Sequence, residues 1–181
     1  HIAIIPARKK SKGLKNKNRL LFNHTAKFIK KLSFINEVIV ASDDEILINK
    51  NLLYPFTFYR RLRNNAKDNS SIKSLMQEIV VKKKIHQDTI IWLIYLTLPF
   101  KNKKDFFKAL KVSKNKNFLS LISFRKAITH PFDCWVINNK IKKLIKNDIF
   151  RRQDKVPVYE HHHYLCAFKV KELKKLNSEL I

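Results

Sequence analysis

The most constraining feature of this sequence is an alternation of strand-length apolar segments with amphipathic helical segments between His1 and Ser123. The predicted strands are His1–Pro6, Glu37–Ala41, Pro55–Tyr59, Thr89–Tyr95 and Phe118–Ser123. The predicted helices are Ala26–Leu32, Asp43–Asn49, Ser71–Lys84 and Lys104–Ser113. Strands that are joined by helical crossovers pair in parallel. The pattern therefore predicts an α/β fold, a three-layer α/β/α arrangement around a mostly parallel sheet.

The pattern changes after His130. Two short strand-like segments, Cys134–Ile137 and Lys140–Ile145, flank Asn138-Asn139, which is typical of a hairpin turn. A further strand is predicted at Tyr164–Val170 and a terminal helix at Lys171–Leu180. Because no linker composition separates these segments, we expect a small β excursion within one domain that spans residues 1–181.

The charge of the chain is extreme, with 39 Lys and Arg residues against 14 Asp and Glu residues and a formal net charge of +25. A field of this sign attracts nucleic acids, nucleotides and acidic sugars. The basic residues are mostly Lys and are scattered along the chain, without zinc-finger spacing or an RNP-type motif, so specific nucleic-acid recognition is disfavoured. A drift toward Lys, Asn, Ile and Phe in an AT-rich genome explains the same composition, and this alternative stays open.

No targeting or membrane signal is visible in the sequence. The longest apolar stretch, Ile90–Phe100, is shorter than the ~20 residues that a membrane helix needs. The N-terminal apolar residues precede the charged ones, which is the wrong order for a signal peptide. Cys134 and Cys166 are too few for a disulfide framework and are expected to be small buried residues. We therefore expect a cytoplasmic protein that has no membrane contact.

A basic loop, Ala7–Asn18, follows the first predicted strand. Ligands of open α/β sheets bind beyond the carboxyl ends of the strands, so this loop is the first candidate for a binding site. It matches neither the P-loop nor the dinucleotide fingerprint. Its cations and backbone amides are nevertheless the groups that neutralise and surround phosphate oxygens.

The stretch IPARKKSKGLKNKN resembles the N-terminal motif of acylneuraminate cytidylyltransferases, the CMP-sialic acid synthetase family. The matching positions are Arg8, Ser11, Lys12, Gly13, Lys17 and Asn18. Enzymes that activate Kdo share IPAR but usually carry Arg at the position of Lys12, so the motif favours the sialic-acid branch. Further similar blocks follow in the family's order at Val40–Ile46, Arg60–Asp68, Leu93–Phe100, Ser123–Pro131 and Arg151–Glu160.

This resemblance implies nucleotidyl transfer from CTP to a sialic-acid-like nonulosonic acid, with pyrophosphate as the second product. Arg8 and Lys17 are then the catalytic cations that hold the triphosphate. The implied nucleotide-binding residues are Arg8, Ser11, Lys12, Gly13, Lys17, Asn18, Arg61 and Ser71. Tyr95 and Arg152 are implied at the sugar end. The family also implies Mg²⁺ as cofactor and a homodimer that is built through the excursion after His130.

Departures from the family pattern keep a second hypothesis open, a degenerate or truncated homologue that retains the fold without activity. Lys9 and Lys10 stand where the family has Gly or small residues, and Tyr95 stands where it has Gln. The family's D-x-D carboxylate pair is not found before Ile181, so we expect CTP binding with little turnover unless Asp43 or Asp154 holds the metal. A basic nucleic-acid-binding protein is the third hypothesis.

Several other residues are expected to be structural. Asp43 and Asp44 are predicted to cap the following helix. The remaining expectations are core positions for Trp92 and Trp135, a turn at His130, and solvated or loop positions for His161, His162 and His163.

Overall fold

The alternation of strands and helices is present in the structure, a computed structural model that describes residues 1–9, 14, 16–50, 53–66 and 70–180. The first four strands are β1 (Ile2–Ala7), β2 (Glu37–Ser42), β3 (Thr57–Arg60) and β4 (Ile90–Leu93). The helices are α1 (Lys17–Ile29), α2 (Glu45–Lys50), α3 (Ile72–Lys82) and α4 (Lys103–Ser113). The remaining strands are β5 (Ser120–Lys126), β6 (Trp135–Ile137), β7 (Ile141–Lys143) and β8 (Tyr159–Lys169).

The main sheet has six strands in the order β3-β2-β1-β4-β8-β5. β1 pairs in parallel with both β2 and β4, and β2 pairs in parallel with β3, whereas β8 is antiparallel to β4. Successive strands are therefore added on one side of β1 as far as β3 and then on the other side from β4 onward. The predicted mostly parallel α/β fold is confirmed, and its strand order reverses between β1 and β4.

The sheet separates two apolar clusters. One contains α1 and α4 residues such as Phe22 and Phe106 packed on Ile5 and Trp92 of the sheet. The other contains Leu75 and Met76 of α3, and it also includes the buried leucines of the C-terminal segment. Successive strand residues alternate between the two clusters, as the pleat requires. The sheet is thus covered on both faces, as the α/β/α prediction required.

The chain divides into two compact units. The first unit comprises residues 1–122 and 163–181, and the second comprises residues 123–162. In the second unit β6 and β7 form a hairpin in which Trp135 faces Lys143 and Ile137 faces Ile141. Asn138 lies in its turn, where its side-chain oxygen accepts a hydrogen bond from Lys140 N at 3.3 Å. The hairpin prediction is therefore confirmed.

The C-terminal prediction of an α-helix at Lys171–Leu180 is wrong. A short 3₁₀ turn at Val170–Glu172 is followed by further turns. Leu173, Leu176 and Leu180 are nevertheless buried in the second apolar cluster. The Lys73 ammonium donates hydrogen bonds to the carbonyl oxygens of Lys174 (3.0 Å) and Leu176. These carbonyls therefore accept from a side chain, whereas in an α-helix they would accept from backbone amides.

Three further structural predictions need correction. Trp135 is 53% exposed on the two-stranded hairpin, where the Lys143 ammonium lies 5.8 Å from its ring centre, whereas Trp92 is fully buried as expected. Cys166 is buried as expected, whereas Cys134 is only half-buried. His161, His162 and His163 lie in β8, which begins five residues earlier than predicted.

No helix in the described part of the chain is long and apolar enough to span a membrane.

Candidate functional site

Three loop connections bring predicted site residues to the carboxyl edge of the parallel strands. Arg8 directly follows β1, Arg61 directly follows β3, and Tyr95 follows β4 by two residues. β1 and β4 are the neighbours between which the strand order reverses. In open α/β sheets this reversal leaves a crevice between the diverging connections, where ligands bind.

A cleft of about 330 Å³ lies at this edge and is lined by Pro6, Arg8, Lys17, Asn18, Arg61, Ser70, Ser71, Ile72, Tyr95 and Thr97. Six of the residues that the sequence singled out therefore share one cleft: Arg8, Lys17, Asn18, Arg61, Ser71 and Tyr95. Ser11, Lys12 and Gly13 lie outside the described residues. Ser70 and Thr97 were not named as site residues, although Ser70 is adjacent to the predicted Ser71 and Thr97 lies in the Leu93–Phe100 block noted in the sequence.

The amino-terminal ends of two helices line the cleft. α1 begins at Lys17 after Asn16, whose φ of 58° is left-handed, and α3 begins after Ser71. Ser71 caps α3, because its hydroxyl oxygen accepts a hydrogen bond from Ser74 N at 3.0 Å. Free backbone amides and the helix dipole make such ends favourable for anions. α1 starts nine residues before the predicted Ala26, which places Lys17 and Asn18 on its first turn and not in the loop.

Asn18 joins the start of α1 to the end of β1. Its side-chain amide donates to the Arg8 carbonyl oxygen at 2.8 Å. This bond fixes the backbone from which the Arg8 side chain projects. Arg8 and Lys17 are therefore presented to the cleft from two elements that are held together at their junction.

Arg61 is a partly buried cation of the cleft. Burial lowers the pKa of its guanidinium, and the charge of Arg8 lowers it further, whereas the charges of Asp43 and Glu78 raise it. Its Nη2 donates to the Asn65 carbonyl oxygen, but its buried Nε has no hydrogen-bond partner within the described chain. A buried donor without a partner carries a desolvation cost that an incoming acceptor removes. The geometry therefore favours an anion at Arg61.

A polar network that the sequence did not reveal holds the Arg61 side of the cleft. Glu78 of α3 accepts hydrogen bonds from Tyr59 OH and from the Asn65 side-chain amide. Ser74 Oγ donates to Asn65 Oδ1 at 2.7 Å, and Ser70 Oγ donates to the Asn65 carbonyl oxygen at 3.0 Å. Asn65 thus links β3, α3 and Ser70. In the sequence, the only indication of this role was the position of Asn65 between Arg61 and Ser70.

A second hydrogen-bonded group holds the segment after β1. Arg19 makes two hydrogen bonds to Asp44, at 2.7 and 3.0 Å, and Asp44 is only 1% exposed. Asp44 also accepts from Ile46 N at 3.1 Å, which confirms its predicted capping role. Asp43 has a different partner, since its side chain accepts from Lys9 N at 2.7 Å. The β2–α2 connection is therefore joined to Lys9 through Asp43 and to α1 through Asp44.

The donor set of the cleft suits an anion. Three cationic side chains line it, whereas no carboxylate is present among the described lining residues. Hydroxyl groups of Ser71 and Thr97 add neutral donors. Cations, amides at helix starts and hydroxyls are the groups that proteins use for phosphates. A polyphosphate is therefore the ligand class that the described lining fits.

The remaining predicted residue, Arg152, belongs to the second unit. It lines a cavity of about 390 Å³ there, together with Lys126, His130, Asp133, Lys155 and the Val156–Val158 segment. Lys155 pairs with Asp133, and His130 Nδ1 accepts from Phe132 N at 3.1 Å, as its predicted turn role requires. The side chain of Arg152 is exposed. This cavity also has an excess of basic residues.

Comparison with known proteins gives a consistent picture. Residues 2–176 match the sequence family described as cytidylyltransferase. A solved CMP:2-keto-3-deoxy-manno-octonic acid synthetase complexed with CTP is similar at a TM-score of 0.68 and 16% identity, over 96% of this chain and 76% of that chain.

Two further solved structures are 4-diphosphocytidyl-2C-methyl-D-erythritol synthases. One is similar at a TM-score of 0.61 and 9% identity, over 98% of this chain and 80% of that chain. The other, from Anaerococcus prevotii, is similar at a TM-score of 0.57 and 15% identity, over 94% and 70%. At these identities the structural matches show a shared fold. No functionally curated protein matches the sequence significantly.

Proposed function

The chain belongs to the cytidylyltransferase family, and we propose that it transfers the CMP group of CTP to an acidic sugar and releases pyrophosphate. The observation that carries the proposal is the cleft at the carboxyl edge of the parallel strands. There Arg8, Lys17 and Arg61 converge with the first turns of α1 and α3. This arrangement supplies three cations and two favourable helix ends for one polyphosphate.

The proposed reaction is a displacement at the α-phosphorus of CTP. The anomeric hydroxyl oxygen of the sugar forms a bond to this phosphorus, its proton is released, and the bond to the β-phosphate oxygen breaks. Negative charge then increases on the departing pyrophosphate. Cations that are already in place stabilise this charge without reorganisation, which is the main route to rate acceleration in such sites. Arg8 and Lys17 are assigned this role.

Arg61 is proposed to bind a phosphate oxygen through Nε, the buried donor that lacks a partner within the described chain. The charges of Arg8 and Arg61 repel each other, which contributes to the lowered pKa of Arg61. An anion between them turns this repulsion into two attractions. Asn65, Glu78 and Ser74 act by positioning this side of the cleft.

Magnesium, which the family resemblance implies, does not fit the described lining. A hard cation takes oxygen ligands from carboxylates, and the described residues that line the cleft supply none. Asp43 already accepts from Lys9 N, and Asp154 is paired with Arg151 in the second unit. We therefore derive no step through a metal from these residues.

For the sugar we propose a nonulosonic acid, an acidic nine-carbon sugar of the sialic type. The support is the sequence motif that contains Lys12, together with Tyr95, which lines the cleft. Burial raises the pKa of Tyr95, so its hydroxyl stays protonated and can donate to a sugar oxygen or carboxylate. An eight-carbon acid of the kind named for the first structural match is the direct competitor in any assay.

The proposal predicts selective CTP use. We expect calorimetry to show tighter binding of CTP than of ATP. Transfer is measured as pyrophosphate release when CTP and a nonulosonic acid are incubated with the protein, with and without Mg²⁺. The eight-carbon acid and methylerythritol phosphate are the substrate controls. CTP binding without release from any acceptor would favour the degenerate-homologue hypothesis. Equal affinity for CTP and ATP would contradict the cytidylyl assignment.

We also propose a homodimer that forms through the second unit. The hairpin exposes Trp135, Ile137 and Ile141, and its strand pairing places Ile137 opposite Ile141. Apolar residues that are grouped in this way on a surface are typical of protein interfaces. The resemblance noted above implies a dimer through this same excursion, so a second copy of the chain is the proposed occupant.

The dimer proposal gives a second prediction. Substituting Ile137→Glu and Ile141→Glu together is expected to raise the dimer dissociation constant by about tenfold or more, because buried interface residues of this kind carry much of the binding energy. Sedimentation equilibrium measures it. A matched control is Val81→Glu with Val112→Glu, exposed apolar residues of the first unit. A monomeric wild-type protein, or equal weakening in both variants, would contradict the proposed surface.

A further inference from the structure

A second cavity of the first unit, about 540 Å³ in volume, shares no described lining residue with the cleft. It is lined by His24, Lys27, Phe28, Lys31, Phe100, Lys101, Asn102 and Tyr164. We propose that it binds a small anion that carries a planar ring, a ligand of the aryl phosphate or mononucleotide class. The proposal rests on this cavity alone and holds whether or not the cleft binds CTP.

The charge of the cavity selects an anion. His24 and Lys27 project from α1, and Lys31 follows two residues after its end, so the three basic groups lie on successive turns of one segment. Lys101 adds a fourth from the segment before α4. No carboxylate is among the described residues that line the cavity. The nearby Asp105 accepts a hydrogen bond from Tyr164 OH at 2.8 Å and also lies at the start of α4.

The rings of the cavity select a planar group. Phe100 is 85% exposed, yet it is held edge-to-face against His24 with ring centres 5.5 Å apart. Tyr164 presents its ring to the Lys101 ammonium at 5.7 Å, and its hydroxyl accepts from Asn102 N at 2.8 Å. A ligand ring that stacks on Phe100 removes exposed apolar surface from water and adds aromatic contact.

Lys101 makes the site more than a group of surface lysines. Its ammonium donates to the carbonyl oxygens of Tyr95 (3.2 Å) and Leu98, so it is fixed in position before any ligand arrives. Burial lowers its pKa to about 8. An anion in the cavity favours the charged form and offsets part of the cost of burying it. The titratable neighbours that face it are His24, Lys27, Lys31 and Tyr164.

The test uses phenyl phosphate as probe and inorganic phosphate as the matched anion without a ring. We expect phenyl phosphate still to bind the Arg8→Ala/Lys17→Ala variant, in which the cleft has lost two of its phosphate-binding cations. Affinity is expected to fall about tenfold or more in Lys27→Ala/Lys31→Ala, which loses two charged contacts. Phe100→Ala is expected to lose about fivefold for phenyl phosphate and nothing for inorganic phosphate. Calorimetry measures all of these.

The control for the overall positive charge is Lys108→Ala/Lys111→Ala, which removes two exposed lysines of α4 outside the cavity. It is expected to bind phenyl phosphate as the wild type does. Affinity is also expected to decrease as the pH rises from about 7 to about 9, because Lys101 loses its proton in this range. Loss of binding in the Arg8→Ala/Lys17→Ala variant, equal loss in the charge control, or equal affinity for both probes would overturn the proposal.

Discussion

Replacing Arg8 and Lys17 together by alanine is expected to weaken CTP binding by about a hundredfold or more. Each side chain lines the cleft from a different element, at the end of β1 and at the start of α1. A charge-assisted hydrogen bond to phosphate contributes on the order of 1.5–3 kcal/mol, and about 1.4 kcal/mol corresponds to a factor of ten in affinity. Two such contacts therefore account for the expected loss.

The single variants separate the two contacts. Arg8→Ala and Lys17→Ala are each expected to lose roughly tenfold or more in affinity by calorimetry. The matched control is Lys82→Ala/Lys83→Ala, which removes two exposed lysines that do not line the cleft. Because salt screens the interaction between surface charges and the ligand, we expect the control variant to lose CTP affinity only at low ionic strength. Unchanged affinity in the double variant would remove both residues from the site.

Arg19→Ala is expected to lower the free energy of unfolding by about 3–5 kcal/mol, because it leaves the carboxylate of Asp44 buried without its partner. Asp44 is 1% exposed, and its carboxylate accepts two hydrogen bonds from the Arg19 guanidinium and one from Ile46 N. Urea unfolding followed by circular dichroism measures the change. The double variant Arg19→Ala/Asp44→Asn is expected to recover part of the loss, since it removes the unpaired charge as well.

The same pair has a defined pH signature. Burial raises the pKa of Asp44, but hydrogen bonds from Arg19 and Ile46 N, with the charges of Arg19 and Lys9, outweigh burial and lower it below its ordinary value. A carboxyl with a depressed pKa in the folded state adds stability above its unfolded pKa. That contribution is lost as the pH falls through the folded pKa. Asp44→Asn is expected to remove this part of the acid dependence, and an unaltered acid profile would contradict the assignment.

Most secondary structure was predictable because its signals are local. The continuous apolar segments of β1 and β2 suit strands that are buried on both faces of a sheet, and the helical period of α3 marks the face that packs on the core. Trp92 and Met76 are buried, as these patterns require. Local signals also placed the hairpin turn at Asn138. They failed for the C-terminal segment, where Leu173, Leu176 and Leu180 have apolar spacing that suits a helix but also suits a chain of turns packed on a sheet.

Exposure was harder to predict than secondary structure. Trp135 was expected in the core because of its size, but it lies on a two-stranded hairpin, and whether a large apolar residue has a neighbouring layer depends on distant segments. The extent of the basic loop was also misjudged. Lys17, Asn18 and Arg19 are polar or basic. The helical start there is stabilised by hydrogen bonds of Asn18 with the Arg8 carbonyl and of Arg19 with Asp44, which no local pattern contains.

The sequence by itself determined the alternating α/β architecture and identified the residue types of a phosphate site, because periodicity and motif order are written along the chain. Only the tertiary structure decided that Arg8, Arg61 and Tyr95 share one cleft. These residues follow β1, β3 and β4. The parallel pairing of β1 with β2 and β4, and of β2 with β3, brings the ends of those strands to one edge. The same folding joined Asn65 to Glu78 and buried Asp44 against Arg19. Proximity of this kind arises from strand order and packing across the sheet, which act between residues that are far apart in sequence.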